Sequence, residues 1–211
     1  NLGESNAAAL KDETGNIYPV QQTKEGAVAF VTKIPSKGSK TFEIVTEDVN
    51  TTVAFQLEGN TLETPFYIIK LDEHALFTSI FDKENEREVV QAGQYANLLR
   101  MYEDKPIYYD NWDIDIFYTE KYWDAMEVSR MEWTELGAVR ATLEIDRKIS
   151  NSIIKQKIYF YADNRRIEFN TYVDWKEHQH LLKVHFQYCT YGRSLGISFP
   201  ELHLTRCLKK M

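Results

Sequence analysis

Three runs in the second half of the chain, VRATLEIDRKI, SIIKQKIYFYA and RIEFNTYVDW, alternate apolar and polar residues over eight or more positions. That spacing places every second side chain on the same face of an extended backbone, which is the pattern of a half-buried strand. In the last run Ile167, Phe169, Thr171 and Val173 face one way while Glu168, Asn170 and Asp174 face the other. No helical stripe of comparable length competes. The short breaks ISNS and DNRR between the runs predict long antiparallel hairpins, and the chain is expected to be all-β, with large sheets packed face to face in a sandwich.

Residues 1–49 form a first section. Asn1 to Ala9 is small and polar and is expected to be poorly tied down. Thr14, Gly15 and Asn16 predict a hairpin turn, and AVAFVTKI and KTFEIV predict strands around the turn residues Pro35 and Gly38. Such a unit is too small to close a sandwich by itself. The section 50–186 stays rich in strand signals. TTVAFQLEG and PFYIIKLDE flank a break at Glu58, Gly59 and Asn60, and LFTSIFDKENEREVV predicts strand, turn at Asp82 to Asn85, and strand. The section 187–211 differs in kind: it holds both cysteines, loses the alternation, and carries 4 Lys plus Arg against 1 Asp plus Glu. Residues 1–186 hold 21 against 31.

The richest stretch chemically is LLRMYEDKPIYYDNWDIDIFYTEKYW, from Leu98 to Trp123. It sets Glu103, Asp104, Asp110, Asp113 and Asp115 among closely spaced aromatic rings around one proline. Carboxylates accept from hydroxyl groups and aromatic planes cover C–H faces, which is what a sugar presents. The plainer reading is a twisted surface loop with packed rings and solvated acids. Elsewhere, His178, His180 and His185 invite a metal reading, because imidazoles two residues apart on a strand share a face and Glu177 is adjacent. The run lacks an evident third ligand, and strand-end packing explains it better. Arg165, Arg166 and Glu168 suit a ligand clamp, but ion pairs on a hairpin account for them equally. There is no G-x-S-x-G, phosphate-binding glycine loop or C-x-x-C.

With 211 residues, 43% hydrophobic and 27% charged, the chain can bury a full core. Its net charge of −7 argues against a nucleic-acid partner, and no apolar run is long enough to span a membrane. Two cysteines, Cys189 and Cys207, do not make a disulfide framework, so a reducing, cytoplasmic setting is expected. The start at Asn1 without Met fits a cut-out or processed fragment.

The run EDKPIYYDNWDIDIFY resembles a loop of the glycoside hydrolase family 38 α-mannosidases that reads approximately ED-x-P-x-Y-W-D-A-W-D-I-D. TPFYIIKLDEHALFTSIFDKENEREVV resembles the family's segment leading to D-K-E-N-G-R-E-V. Downstream, GAVRA, YADNRRI and VDWKEHQHLLKV resemble its G-P-V-R-A, Y-A-x-x-R-R-I and V-D-W-x-E-x-H-x-L-L-K-V runs in the same order. The likeness is strong from Thr64 to Phe186 and weaker from Ala8 to Val45. It implies a C-terminal β domain: a partial immunoglobulin-like unit, then part of a large supersandwich of the galactose mutarotase-like kind. The zinc and the nucleophilic aspartate would belong to a separate catalytic domain, so no cofactor, metal ligand or catalytic residue is expected in this chain. Tyr108, Tyr109, Asp110, Trp112 and Asp113 are the implied sugar contacts, for an α-mannoside. Tyr109 stands where Trp is usual and Asn111 where Ala is usual.

The function this implies is a scaffold and wall of the sugar site in an α-mannosidase, inactive alone. The alternatives are a free-standing carbohydrate-binding module and an aldose-epimerase-like enzyme using a His and Glu177 as acid and base. Likeness is expected to end at Phe186, leaving 187–211 as out-of-family sequence. A sandwich stopped there would leave edges open. Either LGISFP and LHLT would fold back as substitute strands, or two copies would pair as a homodimer over Leu195, Ile197 and Phe199.

Overall fold

The computed structural model describes residues 6–29, 36–46, 53–109 and 112–188. Their regular structure is antiparallel β, interrupted by one 3-10 helix at Ile116–Glu120. The four-stranded first sheet contains β1 (Ala9–Asp12), β2 (Ile17–Thr23), β3 (Gly26–Ala29) and β4 (Phe42–Val45), in the order β3-β2-β1-β4. Its β1–β2 hairpin forms where Thr14 to Asn16 predicted it. Buried Asp12 closes that turn, its Oδ1 accepting from the backbone N–H of Thr14 at 3.0 Å and Asn16 at 2.8 Å. Lys40 Nζ reaches its other oxygen at 2.8 Å.

The expectation that Asn1 to Ala9 is poorly tied down fails for its last residues. Ala7 is buried, its carbonyl accepts from Gln22 Nε2, and the Ala8 N–H donates to Val45 O at 2.8 Å. Small side chains are what permit this close packing. Residues 1–5 lie outside the described residues.

The remaining strands make the sandwich. One sheet holds β5 (Gln56–Glu58), β6 (Thr61–Glu63), β7 (Tyr67–Leu71), β8 (Phe77–Asp82), β9 (Arg87–Glu88), β10 (Ala96–Glu103), β11 (Tyr122–Asp124) and β16 (His180–Phe186). The other is a meander of β12 (Glu127–Leu136), β13 (Arg140–Ile149), β14 (Ser152–Tyr161) and β15 (Ile167–Asp174). The alternation of the three diagnostic runs is realised in β13 to β15. Leu143, Ile145, Ile158 and Phe160 are buried against Leu62, Ile69 and Phe77 of the facing sheet, with Phe77 and Phe169 ring centroids 5.8 Å apart. Burial of each such side chain contributes about 1.5–3 kcal/mol. A second cluster sits under β10 and β16: Leu99, Met101, Ala125, Ile149 and Ile154, flanked by Leu182 and Val184.

Polar pins add register to this apolar contact. Asn97 lies at an irregularity in the β10–β16 pairing with φ of 60°, and its amide exchanges two 3.1 Å hydrogen bonds with Gln156 of the opposite sheet. Both are buried, so the reciprocal pair pins the two sheets together, and Gln156 Nε2 also donates to Thr171 Oγ1 at 3.2 Å within its own sheet. The first sheet is tied on through Gln21, whose Oε1 accepts from the N–H of Val139 and Arg140 at 3.0 and 2.8 Å.

The structure departs from the predicted elements in several places. Among the described residues of TTVAFQLEG only Gln56–Glu58 form a strand, Thr51 and Thr52 lying outside them, and TLE after the Asn60 break forms β6. Leu98 to Trp123 is not loop throughout: its ends are β10 and β11, hydrogen-bonded to one another through Arg100 to Tyr102 and Tyr122 to Asp124. Pairing also continues past Phe186, with the Gln187 N–H donating to Tyr95 O and a bridge between Val90 and Tyr188. The rest of the tail, including Leu195, Ile197 and Phe199, lies outside the described residues.

Candidate functional site

The candidate site is the excursion between β10 and β11, residues 104–121. Strand alternation decides what stands at its root. Leu99 and Met101 of β10 turn into the core, so Arg100 and Tyr102 turn outward, beside Lys183 and His185 of β16 and Tyr122 and Asp124 of β11. Arg100 forms a forked ion pair with Asp124, at 2.5 and 3.0 Å, while its guanidinium lies 3.9 Å from the Tyr122 ring centroid. The hydrogen bond with Asp124 raises the guanidinium above its ordinary pKa.

The 3-10 helix folds back over this face. The Tyr118 ring meets Tyr102 edge-on at 5.2 Å, and Lys183 Nζ donates to the Tyr118 hydroxyl at 2.6 Å while lying 3.9 Å from its ring centroid. Tyr102 OH sits 2.8 Å from His185 Nε2. Burial and the nearby Arg100 and Lys183 push that imidazole below its ordinary pKa, with Asp124 opposing. Farther out, the Ile107 N–H donates to Asp115 Oδ2 at 2.8 Å, and Lys105 and Lys121 converge on Glu103 at 3.0 Å. A cleft of about 390 Å³ lies between this root and the helix, lined by Glu103, Lys105, Asp115, Phe117, Tyr118, Glu120 and Lys121.

The predicted contact residues stand at the rim. Tyr108, Tyr109 and Trp112 are exposed, Trp112 by 88%, and none of them lines that cleft. Tyr109 takes a φ of 55°, and its carbonyl accepts from the N–H of both Trp112 and Asp113, which closes the tip as a tight turn. Asp113 is half-buried. Asp110 lies outside the described residues. What motif reading missed is the ladder of Arg100, Tyr102, Tyr118, Asp124, Lys183 and His185. The alternation within LLRMYE carries the signal for its first two members.

Other candidates resolve into structural roles. His178 precedes β16, and its carbonyl lies 2.6 Å from His180 Nδ1. His180 shares the inward face with Leu182 while His185 points outward, so the histidines form no common face. Among the described residues no three His, Cys, Asp or Glu side chains gather as a metal set. Arg165 pairs with Asp82 at 2.8 Å and with Glu84, joining β14–β15 to the β8–β9 turn across the sandwich. Glu177 accepts from the Asn151 N–H at 2.8 Å and from Ser152 and Ser150 hydroxyls. Burial opposes its charge, but these donors prevail and hold it below the usual carboxylate range, which suits a turn cap and not a general acid.

The described residues thus define an all-β sandwich domain with one aromatic and acidic loop anchored on a cation–tyrosine ladder. The chain belongs to the glycosyl hydrolases family 38 C-terminal domain family, which matches residues 62–199. That match runs past Phe186, where the likeness was expected to end. Alpha-mannosidase G of Dictyostelium discoideum is 26% identical over 186 residues, covering 79% of this chain and 17% of that protein. Alpha-mannosidase 2C1 of Homo sapiens is 27% identical over 128 residues, covering 60% of this chain and 12% of that protein. The chain therefore spans less than a fifth of the length of the relatives it matches.

Proposed function

We propose that this chain is the part of an α-mannosidase that walls the sugar site, and that its loop docks against a catalytic domain of the parent polypeptide. One observation carries the reading. Ile107, Tyr108, Tyr109, Trp112, Ile114, Ile116 and Phe117 are all more than half exposed within a single loop. Large apolar side chains concentrated in this way mark a surface made to be covered. The loop's root is held by the ladder and its tip by the Tyr109 turn, so the rings are presented on a braced support. The length of the relatives supplies the missing cover. Ile114, Ile116 and Phe117 supply the docking contacts; Tyr108, Tyr109, Asp110, Trp112 and Asp113 meet α-mannoside hydroxyls and ring faces. Zinc and nucleophile belong to the other domain.

Two measurements test this. The purified 211-residue chain should release no product from an aryl α-mannoside; zinc-dependent turnover by it would refute inactivity alone. In the full-length parent enzyme, Trp112→Ala and Asp110→Ala should each lower kcat/KM by about 2–4 kcal/mol in transition-state terms, without lowering Tm. Unchanged kinetic constants in both would return the loop to a purely structural role.

A further inference from the structure

A cleft of about 480 Å³ opens beside the second core cluster and shares no lining residue with the 104–121 cleft. Met101 and Ile149 form its apolar floor. Trp123 stands at its side, 38% exposed, although β11 pairs it directly with the buried Met101. Its indole is held by two neighbours: the His180 ring at 5.6 Å, tilted by 50°, and Lys121 Nζ at 5.1 Å from the ring centroid. A braced, part-exposed indole over an apolar floor is a stacking platform.

The polar lining specifies the ligand's charge. Glu127 and Lys148 are opposed partners on β12 and β13, Asp124 is paired with Arg100, and the Glu177 carboxylate is met by three donors. Three carboxylates against one ammonium in the lining disfavour an anion, and with Asp124 and Glu177 already engaged only Glu127 remains for a cation, which the facing Lys148 repels. What remains is a mixed set of hydroxyl partners: carboxylate lone pairs at Glu127 and Glu177, the Lys148 ammonium, and His180 Nε2 as acceptor while Nδ1 faces the His178 carbonyl. An indole face beside alternating donors and acceptors matches a pyranose, with its C–H face and ring of hydroxyls. The volume falls in the range of small-ligand sites.

We propose that this cleft is a second sugar-binding site, taking one neutral pyranose unit of a glycan with Trp123 as its stacking platform. It shares no lining residue with the 104–121 cleft, although Lys121 at the loop's end braces Trp123, and it plays no part in the parent enzyme's chemistry. The test is titration of the 211-residue chain with the methyl pyranosides of mannose, glucose and galactose, followed by intrinsic tryptophan fluorescence and by calorimetry. At least one should bind saturably, with Kd of roughly millimolar order. Trp123→Ala should weaken it ten-fold or more, and Tyr172→Ala, at an exposed position of β15 outside both clefts, should leave it unchanged. Because Trp123 also adjoins the core, the exposed double variant Glu127→Gln, Lys148→Ala provides a second readout and should weaken binding by a similar factor with Tm retained. Saturable binding of none of the three, loss through Tyr172→Ala with Trp123→Ala unaffected, or full affinity in the double variant would each overturn the proposal.

Discussion

At the scale of single residues, two positions carry costs that substitution can expose. Glu86, at the end of the Asp82 turn, has a φ of 48°, in the left-handed region that penalises any side chain with a Cβ. The family run resembled by this turn has Gly at the corresponding place. Glu86→Gly should therefore stabilise the chain by about 0.5–1 kcal/mol, the left-handed penalty less the added freedom of the unfolded glycine. A lower urea midpoint for the variant would show that the Glu86 side chain contributes more than its backbone costs. Arg147 is the converse case. It is 1% exposed, and its guanidinium donates to the carbonyls of His74 at 2.5 Å, Ala75 at 2.7 Å and Ala125 at 3.2 Å. Burial pushes its pKa down to about 10, with Asp72 opposing, so it stays charged at neutral pH. It binds the β7–β8 turn and the start of β12 to β13. Arg147→Met keeps an apolar side chain of similar length but strands two buried carbonyls and one part-buried one, and should cost about 3 kcal/mol in chemical denaturation. A loss under about 1 kcal/mol would mean that water or relaxation replaces those bonds.

At the scale of elements, the β10–β16 pair sets the pH response of the loop's root. His185 faces Tyr102, Arg100, Lys183 and Asp124, and its imidazole is held below the ordinary value. The unfolded chain thus takes up a proton more readily than the folded one, and stability present at pH 7 is lost as pH falls below about 6.5 and through the folded pKa. His185→Gln should flatten part of that slope between pH 7.5 and 5.5, and an unchanged slope would assign it to other groups. These two strands also show what was legible in the sequence. β13 to β15 stood out because one face of each meets the core and the other meets water, so the alternation is clean. In β10, Ala96 to Leu99 and then Met101 and Tyr102 are buried, with only Arg100 part-exposed between them, so no clean alternation set the strand apart from the loop that follows it. In β12, at the sheet edge, Val128, Met131 and Trp133 pack on the core, but register irregularities between Val128 and Arg130 and between Trp133 and Glu135 break the alternation. The loop's sugar-like composition was visible, but its anchoring ladder was not. Lys183 and His185 lie some eighty residues from Tyr102, and only the β10–β16 register brings them together.

At the scale of the whole molecule, the first sheet is joined to the sandwich by a small polar latch. Gln21 is 7% exposed, and its Oε1 serves both Val139 and Arg140 N–H at the β12–β13 turn. Around it, Glu25 pairs with Lys157 and lies 3.9 Å from Arg140, at the exposed rim where such pairs contribute little. The latch depends on Gly137. A Cβ at that position would fall 2.2 Å from Gln21 Cδ, and the side chain cannot swing aside without releasing both donors. Gln21→Ala removes the acceptor from one buried and one part-buried N–H and should cost about 2 kcal/mol. Gly137→Ala alone should cost a similar amount, because the added methyl expels the same side chain. In the Gln21→Ala background that methyl meets only vacated space, so Gly137→Ala should then be nearly neutral. The two substitutions are expected to be strongly non-additive, with a coupling of about 2 kcal/mol in a double-mutant cycle read by urea unfolding. Additive losses would mean that Gly137 is needed for the backbone geometry of the turn and not for the room it leaves to Gln21. The first sheet would then be held chiefly by its rim ion pairs, and its docking would weaken with salt.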